Sequence, residues 1–305
     1  MGKTGFLFPG QGSQIVGMGK DFYEQFTVAK NTYKIAEEIL GFNLADISFQ
    51  GPEQRLKQTQ YTQPALYVHS YIIARLLEEH GVKGDAAAGH SLGEFSALAY
   101  GDAFSFEEGL ELVKGRAQLM QEAGDKNPGS MAAIIGLEAE EVMTICIDSQ
   151  DEGVVQPANY NSPQQVVISG AKEGVAKAME LAQAKGARKV IELVVSGAFH
   201  SPLMISVVEN FGKMLEKARI QLGTIPVYAN VTANPVTTSQ EIRGLLHGQL
   251  THPVRWVETI QNMVRDGVER FVEVGAGKVL SGLVKRINRE VNIVQCGSVE
   301  ALNTF

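Results

Sequence analysis

Residues 85–93 are Asp85-Ala86-Ala87-Ala88-Gly89-His90-Ser91-Leu92-Gly93, which join a short apolar run to a serine flanked by glycines. The first five residues suit a buried strand, and Ser91–Tyr100 has the apolar spacing of a helix. On a strand–turn–helix of this kind the serine oxygen is exposed, because the two glycines permit a sharp turn. The alternative is a glycine-rich turn whose serine only caps the helix. The strand and helix on either side favour a nucleophile at Ser91.

Strands and helices alternate on both sides of this turn. Before it, the pattern predicts strand Gly5–Phe8 and helices Gly19–Leu40 and Gln63–His80; after it, helix Phe106–Ala123. Beyond residue 196 the pattern predicts helices Leu203–Ala218, Ser239–Leu250, Trp256–Asp266 and Lys278–Asn288, and strands Val227–Asn230 and Arg270–Val274. This alternation predicts a hydrolase-like α/β core with a mainly parallel sheet.

The middle of the chain has a different order of elements. It predicts strand Met131–Gly136, helix Ala139–Asp148, strand Val154–Ala158, a turn at 159–163, strand Gln165–Ser169, helix Lys172–Lys185 and strand Arg188–Val195. The order βαββαβ is typical of ferredoxin-like folds. We therefore expect residues 127–196 to form a small ferredoxin-like subdomain. It would be inserted into a catalytic domain made of residues 1–126 and 197–305.

The composition excludes several classes of protein. Of 305 residues, 44% are hydrophobic and 20% are charged, which is ordinary for a globular protein and excludes disorder and coiled coil. A formal charge of −7 argues against binding to nucleic acid or anionic membranes through bulk charge. No apolar run approaches the ~20 residues of a membrane span. Cys146 and Cys296 have no metal or redox spacing, so we expect buried thiols in a reducing, cytoplasmic compartment.

A serine nucleophile needs a base, and the chain offers six histidines. His200 is the best placed, because it follows the strand Arg188–Val195 on a loop and Ser201-Pro202 then starts the next helix. A purely structural histidine is an equal alternative at this position. His247 and His252 lack the spacing of an H-E-x-x-H zinc site. No Asp or Glu has an obvious position as the third member of a triad, which leaves a neutral group to orient the base.

Five motifs occur together and in a specific order. They are Phe8-Pro9-Gly10-Gln11-Gly12-Ser13-Gln14, Gly89-His90-Ser91-Leu92-Gly93-Glu94, Gly115-Arg116, Gly197-Ala198-Phe199-His200-Ser201 and Gln249 followed by His252-Pro253-Val254-Arg255-Trp256. With these motifs the chain resembles the bacterial malonyl-CoA:acyl carrier protein transacylases over essentially its full length. One departure is Ala276, which stands where that family usually has proline. We expect this turn to lie far from the nucleophile.

The resemblance implies a ping-pong acyl transfer through a malonyl ester of Ser91. In the roles it implies, His200 is the base, the Gln249 carbonyl orients it, and the amides of Gln11 and Leu92 hold the oxyanion. Arg116 would pair with the malonyl carboxylate. Without the resemblance, Arg116 would be taken for a solvated charge on an amphipathic helix.

The remaining implications concern other substrate contacts and partners. Gln11 and His90 are expected to contact the substrate, His90 as part of the pocket wall. The expected partners are malonyl-CoA and acyl carrier protein. The resemblance implies no cofactor and no metal, and we expect a monomer that binds neither nucleic acid nor membrane.

The acidic carrier protein requires a local basic patch on a chain that is itself negative. Two segments supply cations, namely Arg188 and Lys189 in the small subdomain and Lys278, Lys285, Arg286 and Arg289 on the last helix. Lys285 and Arg289 are four residues apart and would share a helix face. Ordinary solvated charges are the alternative.

Two other functions remain open at this point. A serine esterase or thioesterase would share the Ser91 turn and His200 but would not need Arg116. A non-catalytic module that docks carrier protein would tolerate the loss of Ser91 without a change in its behaviour.

Overall fold

A computed structural model describes residues 2–305, which form two β-sheets surrounded by helices. The strands are β1 (Lys3–Phe8), β2 (Ala86–Gly89), β3 (Gly129–Ile135), β4 (Val155–Ser162), β5 (Gln165–Ala171), β6 (Lys189–Glu192), β7 (Val227–Tyr228), β8 (Val268–Val274) and β9 (Asn292–Cys296). The α-helices are α1 (Lys20–Gln25), α2 (Thr27–Leu40), α3 (Leu44–Gln50), α4 (Glu53–Leu56), α5 (Thr59–Glu79), α6 (Gly93–Tyr100), α7 (Phe106–Lys126), α8 (Ala139–Asp148), α9 (Lys172–Ala184), α10 (Ile205–Lys217), α11 (Ser239–Gln249), α12 (Trp256–Arg265), α13 (Val279–Ile287) and α14 (Val299–Leu302).

The larger sheet has the strand order β7-β2-β1-β8-β9, and all four of its pairings are parallel. This confirms the predicted α/β class with a parallel sheet. Strand β2 consists of three alanines and a glycine, all of them buried, because helices cover both faces of the sheet. The carboxyl ends of parallel strands meet at one edge, so the loops after β1, β2 and β8 come together there.

Side chains on β1 alternate between the two layers that cover this sheet. Phe6 and Phe8 belong to the large core formed with α5, α6 and α7, whereas Leu7 packs in the core formed with α12 and α13. This alternation follows from the two-residue period of a strand. The sheet is therefore a rigid central layer on which the connecting loops are held.

The smaller sheet has the order β4-β5-β3-β6 and is antiparallel throughout. Helices α8 and α9 lie between its strands in the chain and share its hydrophobic core. The predicted small α+β unit is therefore present, with the strand order of a ferredoxin-like fold. The exact division of the chain at residues 127 and 196 stays a prediction.

Two strands of the small sheet differ from the sequence prediction. Strand β4 continues to Ser162 through the predicted turn at 159–163, because it stays paired with β5 as far as Ser162 opposite Gln165. Strand β6 ends at Glu192 rather than Val195, since the last hydrogen bond to β3 runs from the Leu193 amide to the Met131 carbonyl, at 2.8 Å, and Val194 is fully exposed. The β-branched residues that predicted a longer strand have no partner strand beyond Glu192.

Helix boundaries differ at several places, and several short elements were not predicted. Helix α5, for example, begins at Thr59 rather than at Gln63. The predicted helix Gly19–Leu40 is interrupted at Phe26, whose backbone is extended. Helix α7 continues to Lys126, three residues beyond the predicted end at Ala123. The prediction missed α3, α4, β9 and α14, of which α4 and α14 have only four residues each. Such short elements are fixed by tertiary packing rather than by local periodicity.

Two further findings concern the cysteines and the membrane. Cys146 and Cys296 are buried and form no disulfide, and burial raises the pKa of each thiol to about 12. This confirms that they pack as small apolar residues. Among the helices within residues 2–305, none is both long and apolar enough to cross a bilayer.

Candidate active site

The turn between β2 and α6 places Ser91 at the carboxyl edge of the parallel sheet. Ser91 has a φ of 52°, in the left-handed region that L residues rarely occupy. The turn is tight, since a side-chain carbon on Gly89 would overlap the backbone of Gly93, and one on Gly93 would overlap the carbonyl oxygen of Phe8. These two glycines therefore let the turn close directly against the end of β1.

His200 lies beside Ser91, with its Nε2 2.8 Å from the Ser91 Oγ. Its Nδ1 is 2.8 Å from the backbone oxygen of Gln249, which can only accept a hydrogen bond. The proton of a neutral His200 ring is thus on Nδ1, and Nε2 is free to accept the serine proton. His200 also has a positive φ, of 56°, and Gln156 Nε2 donates to its carbonyl at 2.9 Å.

The electrostatics keep His200 neutral. Burial and the nearby positive charge of Arg116 lower the pKa of His200 to about 3, although the hydrogen bond to Gln249 opposes this shift. The Nε2 atom is therefore unprotonated at pH 7 and open to the serine proton, although the same shift makes it a weaker base. Ser91 and His200 together therefore have the geometry of a nucleophile–base pair, with a neutral carbonyl as the orienting group.

Arg116 is a buried cation at the same serine oxygen. It lies on α7 with only 1% of its surface exposed, and its Nη2 donates to Ser91 Oγ at 3.1 Å. Its other partners are neutral amide oxygens, Gln63 Oε1 and Gln249 Oε1, each at 2.8 Å. Burial lowers the pKa of Arg116 to about 10, so the guanidinium still carries its charge at pH 7. Within residues 2–305 no carboxylate contacts this charge directly.

The loop after β1 lies against the serine turn because Gly10 has no side chain; a side-chain carbon there would overlap the carbonyl oxygen of His90. The amides of Gln11 and Leu92 on the two sides of this contact donate no hydrogen bond to any residue of 2–305. The Gln11 side chain donates to Thr59 Oγ1 at 3.3 Å, which fixes the loop. Two backbone amides are therefore free beside the nucleophile.

His90 does not bond to Ser91. Its Nε2 is 2.8 Å from Asn161 Oδ1 on β4, and its ring packs 5.4 Å from that of Trp256. Burial lowers the pKa of His90. His90 thus joins the serine turn to the small sheet.

Comparison with known proteins places this geometry in a family. A family model described as "Acyl transferase domain" matches residues 5–302. The malonyl CoA-acyl carrier protein transacylase of Bacillus subtilis is 42% identical over 303 residues, which cover 99% of this chain and 96% of the relative. That of Haemophilus influenzae is 41% identical and covers 99% and 98%. The chain belongs to the malonyl CoA-acyl carrier protein transacylase family.

Solved structures of the transacylase family share the fold. The malonyl CoA-acyl carrier protein transacylase (fabD) of Coxiella burnetii has a TM-score of 0.96 at 40% identity, covering 99% of this chain and 96% of that one. A malonyl-transacylase in complex with its type II PKS acyl-carrier protein (PlMCAT:AntF) also has a TM-score of 0.96, at 38% identity, covering 99% and 98%.

The transacylase site contains polar residues that the sequence analysis did not single out. Asn230, in the loop after β7, accepts from the Ser91 amide at 2.7 Å and donates to the Gly89 carbonyl at 2.6 Å. Glu94 is buried on α6, and burial raises the pKa of its carboxyl to about 7. The available signal was position, because Asn230 follows a strand of the parallel sheet and Glu94 lies three residues after Ser91. Residues 2–305 hold no group of three His, Cys, Asp or Glu side chains placed to bind a metal ion.

The turn that carries Ala276 is not far from the nucleophile, so that expectation is wrong. Gly275 packs against Pro9, and Gly277 packs against Ser13, in the loop that carries the Gln11 amide. The cause is topological: β8 pairs with β1 in parallel, so the loops after both strands lie at the same edge of the sheet. Ala276 is buried between these two glycines, in a turn that packs against the loop after β1.

The predicted carrier-docking cations are only partly brought together. Arg188, Lys189, Arg286 and Arg289 line one groove of about 560 Å³ between the small sheet and α13. Arg286 Nη1 donates to Gln165 Oε1 at 2.8 Å. Lys285 lies outside the lining of this groove, and its Nζ donates to the Val291 carbonyl at 3.2 Å. The groove is therefore made by Arg286 and Arg289 of the last segment rather than by Lys285.

Proposed function

We propose that this chain transfers the malonyl group from malonyl-CoA to the phosphopantetheine thiol of acyl carrier protein, through a malonyl ester of Ser91, and so supplies fatty acid synthesis. One observation carries the proposal. The Ser91 Oγ lies 2.8 Å from a neutral histidine nitrogen and 3.1 Å from a buried guanidinium. An ordinary serine esterase needs the first contact but not the second.

In the first half-reaction, His200 Nε2 takes the hydroxyl proton while Ser91 Oγ bonds to the thioester carbon. The amides of Gln11 and Leu92 hold the resulting oxyanion. This assignment is supported by the fact that neither amide has another acceptor within residues 2–305. When the tetrahedral intermediate collapses, the carbon–sulfur bond breaks, and the CoA sulfur takes the proton from His200. The product is malonyl-Ser91.

The second half-reaction reverses these proton movements. His200 takes the proton of the phosphopantetheine thiol, and the sulfur attacks the ester carbon. The Ser91 oxygen then leaves with the proton from His200. The Gln249 carbonyl keeps the His200 ring in the correct tautomer through both halves, since it accepts from Nδ1 at 2.8 Å.

Arg116 is proposed to select the malonyl group. Its charge is fully buried and has no direct carboxylate partner within residues 2–305. An acyl group with a terminal carboxylate supplies that partner, whereas an acetyl group leaves the charge unpaired. Gln11 and His90 complete the wall of the acyl site.

The groove lined by Arg188, Lys189, Arg286 and Arg289 is the proposed docking surface for the carrier protein. Its position supports this assignment, because Ser162 also lines the groove and the preceding residue, Asn161, bonds to His90 beside the nucleophile. A cytoplasmic location is proposed as well. The two buried cysteines without a disulfide support it.

Mass spectrometry tests the proposed function. Brief exposure to malonyl-CoA is expected to add one malonyl group to the peptide that contains Ser91, and Ser91→Ala should abolish the addition. Added carrier protein should then remove the label and carry it on its phosphopantetheine. Release of free malonate instead would identify a thioesterase, and no label on Ser91 would leave only a carrier-docking module.

A further inference from the structure

Glu94 is a buried carboxyl that the proposed chemistry does not use. It lies on the first turn of α6, three residues after the nucleophile, and is 2% exposed. Its Oε2 accepts hydrogen bonds from Gln249 Nε2 at 2.7 Å and from the backbone amide of Asn230 at 3.1 Å. A buried acid is costly for a fold to keep unless its partners compensate.

Both partners of Glu94 hold the nucleophile–base pair. Gln249 binds His200 Nδ1 through its backbone carbonyl, and its side-chain Nε2 also donates to the Ser91 carbonyl at 3.1 Å. Asn230 binds the amide of Ser91 and the carbonyl of Gly89 through its side chain. A single carboxylate oxygen therefore anchors the two residues that fix the serine turn and the histidine ring.

The side-chain amide of Gln249 lies between Glu94 and Arg116. Its nitrogen donates to Glu94 Oε2, and its oxygen accepts from Arg116 Nη2 at 2.8 Å. An ionised carboxylate can only accept and a guanidinium can only donate, so the two together allow one orientation of this amide. Opposite charges on α6 and α7 are thus bridged by the residue that orients the base.

We propose that Glu94 is a positioning residue for the acyl transfer: its carboxylate holds Gln249 and Asn230, and through them His200 and Ser91, in the reactive arrangement. This inference rests on the proposed function. A carboxyl that only fills the core would leave the reactivity of Ser91 unchanged once the protein is folded.

The charge state of Glu94 supplies a distinctive signature. Burial raises the pKa of Glu94 to about 7, against the hydrogen bonds from Gln249 and Asn230 and the charge of Arg116. Of the groups that act on it, Arg116 from α7 is charged, whereas Gln249 from α11 and Asn230 from the loop after β7 are neutral. As the pH falls through about 7, the Glu94 carboxylate is therefore protonated, and the charge that orders Gln249 and Asn230 is lost.

The pKa values of the neighbouring ionisable groups lie away from that range. The pKa of His200 is lowered to about 3, that of Arg116 is about 10, and that of His90 is below its usual value. A step in Ser91 reactivity near neutral pH that Glu94→Gln removes thus belongs to Glu94. If Glu94 only filled the core, substituting it would leave this pH step in place, so loss of the step is specific to the positioning role.

The test compares Glu94→Gln and Glu94→Ala with Glu38→Gln, a matched change on the exposed side of α2. Single-turnover malonylation of Ser91 is measured from pH 5.5 to 9, alongside labelling by a small fluorophosphonate, which reports serine reactivity without a malonyl group. Wild type and Glu38→Gln should show a step near pH 7 in both reactions. Glu94→Gln should be slower than wild type at pH 8 by about tenfold, with no step, and Glu94→Ala slower still.

The two probes separate this inference from the proposed function. Fluorophosphonate labelling with the expected step but no malonylation would contradict the function and leave the positioning role standing. A wild-type profile without a step, or a folded Glu94→Gln protein that keeps the wild-type rate and step, would overturn the inference. If both Glu94 variants fail to fold, a wild-type profile without a step still overturns the inference.

Discussion

Ser91 and His200 both have backbone φ angles in the left-handed region, 52° and 56°, and both lie in short turns at the carboxyl edge of the parallel sheet. Non-glycine residues pay for such a conformation, which persists only where surrounding contacts impose it. Two such contacts are present: the Asn230 side chain accepts from the Ser91 amide, and the Gln156 side chain donates to the His200 carbonyl. The strained backbone at these two residues helps to place the Ser91 Oγ 2.8 Å from the His200 Nε2.

Replacing His200 should remove the base without removing the nucleophile. His200→Ala is expected to slow malonylation of Ser91 by about 10²–10⁴-fold, the usual contribution of a general base. The matched control is His80→Ala, because His80 is exposed at the end of α5 and bonds only to the Leu76 carbonyl. Rapid-quench measurement of CoA release gives the rates. A near wild-type rate in His200→Ala would return this histidine to a structural role.

Arg116 should control which acyl group is accepted. Arg116→Ala is expected to lose malonyl transfer while acetyl transfer holds or rises, because the buried charge that an acetyl group leaves unpaired is gone. The ratio of kcat/KM for malonyl-CoA to that for acetyl-CoA measures the effect. Equal losses for both substrates would show that Arg116 only supports the fold, through Gln63 and Gln249.

The residues of this site differ in whether the local sequence could identify them. Ser91 was found from its own neighbours, because glycines on both sides of a serine indicate a tight turn. Glu94 and Asn230 could not be found in this way, since their partners are about 140 to 155 positions away in the chain. Only the fold brings such residues together.

At the scale of elements, the periodicity of the sequence predicted the helices and strands that pack in regular layers. Helix α8 was predicted with its exact bounds, and the βαββαβ order matches the antiparallel small sheet. Periodicity failed where pairing or packing decides the end of an element, as at β6, whose β-branched continuation has no partner strand. It also gave no sign that the turn with Ala276 packs behind the loop after β1, because strand neighbours are a property of the sheet.

The junction of β1, β2 and α6 depends on the absence of a side chain at Gly93. Gly93→Ala would push a carbon into the Phe8 carbonyl, so we expect a loss of about 1–3 kcal/mol in the free energy of unfolding and slower malonylation of Ser91. Gly244→Ala is the control, since a side chain there meets open space on the exposed face of α11. It should stabilise the protein by about 0.4–1 kcal/mol. Urea unfolding measures both, and equal stability of the two variants would contradict the packing argument.

On the scale of the whole molecule, the two sheets meet at the active site. Asn161 of β4 bonds to His90, the Tyr160 amide donates to the Val254 carbonyl at 2.9 Å, and Gln156 of β4 holds the His200 loop. Strand β4 of the small sheet therefore contacts the site through Gln156 and Asn161. At Ser162 the same strand lines the groove that contains Arg188, Lys189, Arg286 and Arg289. A partner seated in this groove lies against the same strand that braces the nucleophile and the base.

The charge of the whole chain makes this groove a selective surface. The net charge is −7, so an acidic partner is repelled in general and attracted only where cations are concentrated. Arg286→Glu combined with Arg289→Glu should slow transfer of malonyl from Ser91 to carrier protein by about tenfold or more at low salt. The loss should shrink as salt is raised, because the screening length falls from about 30 Å at 0.01 M to about 8 Å at 0.15 M. Malonylation of Ser91 by malonyl-CoA should change much less.

Lys285→Glu is the matched comparison for the groove, because it makes the same charge change on the same helix, at a side chain that lies outside the groove. Its effect on the carrier half-reaction should be smaller than that of Arg286→Glu alone, since a contact at the docking surface adds to the long-range field. Stopped-flow rates of carrier acylation at several salt concentrations separate the two contributions. If Lys285→Glu and Arg286→Glu slow transfer equally, the net charge of the helix rather than the groove guides the carrier. If neither variant does so, the carrier docks elsewhere on the molecule.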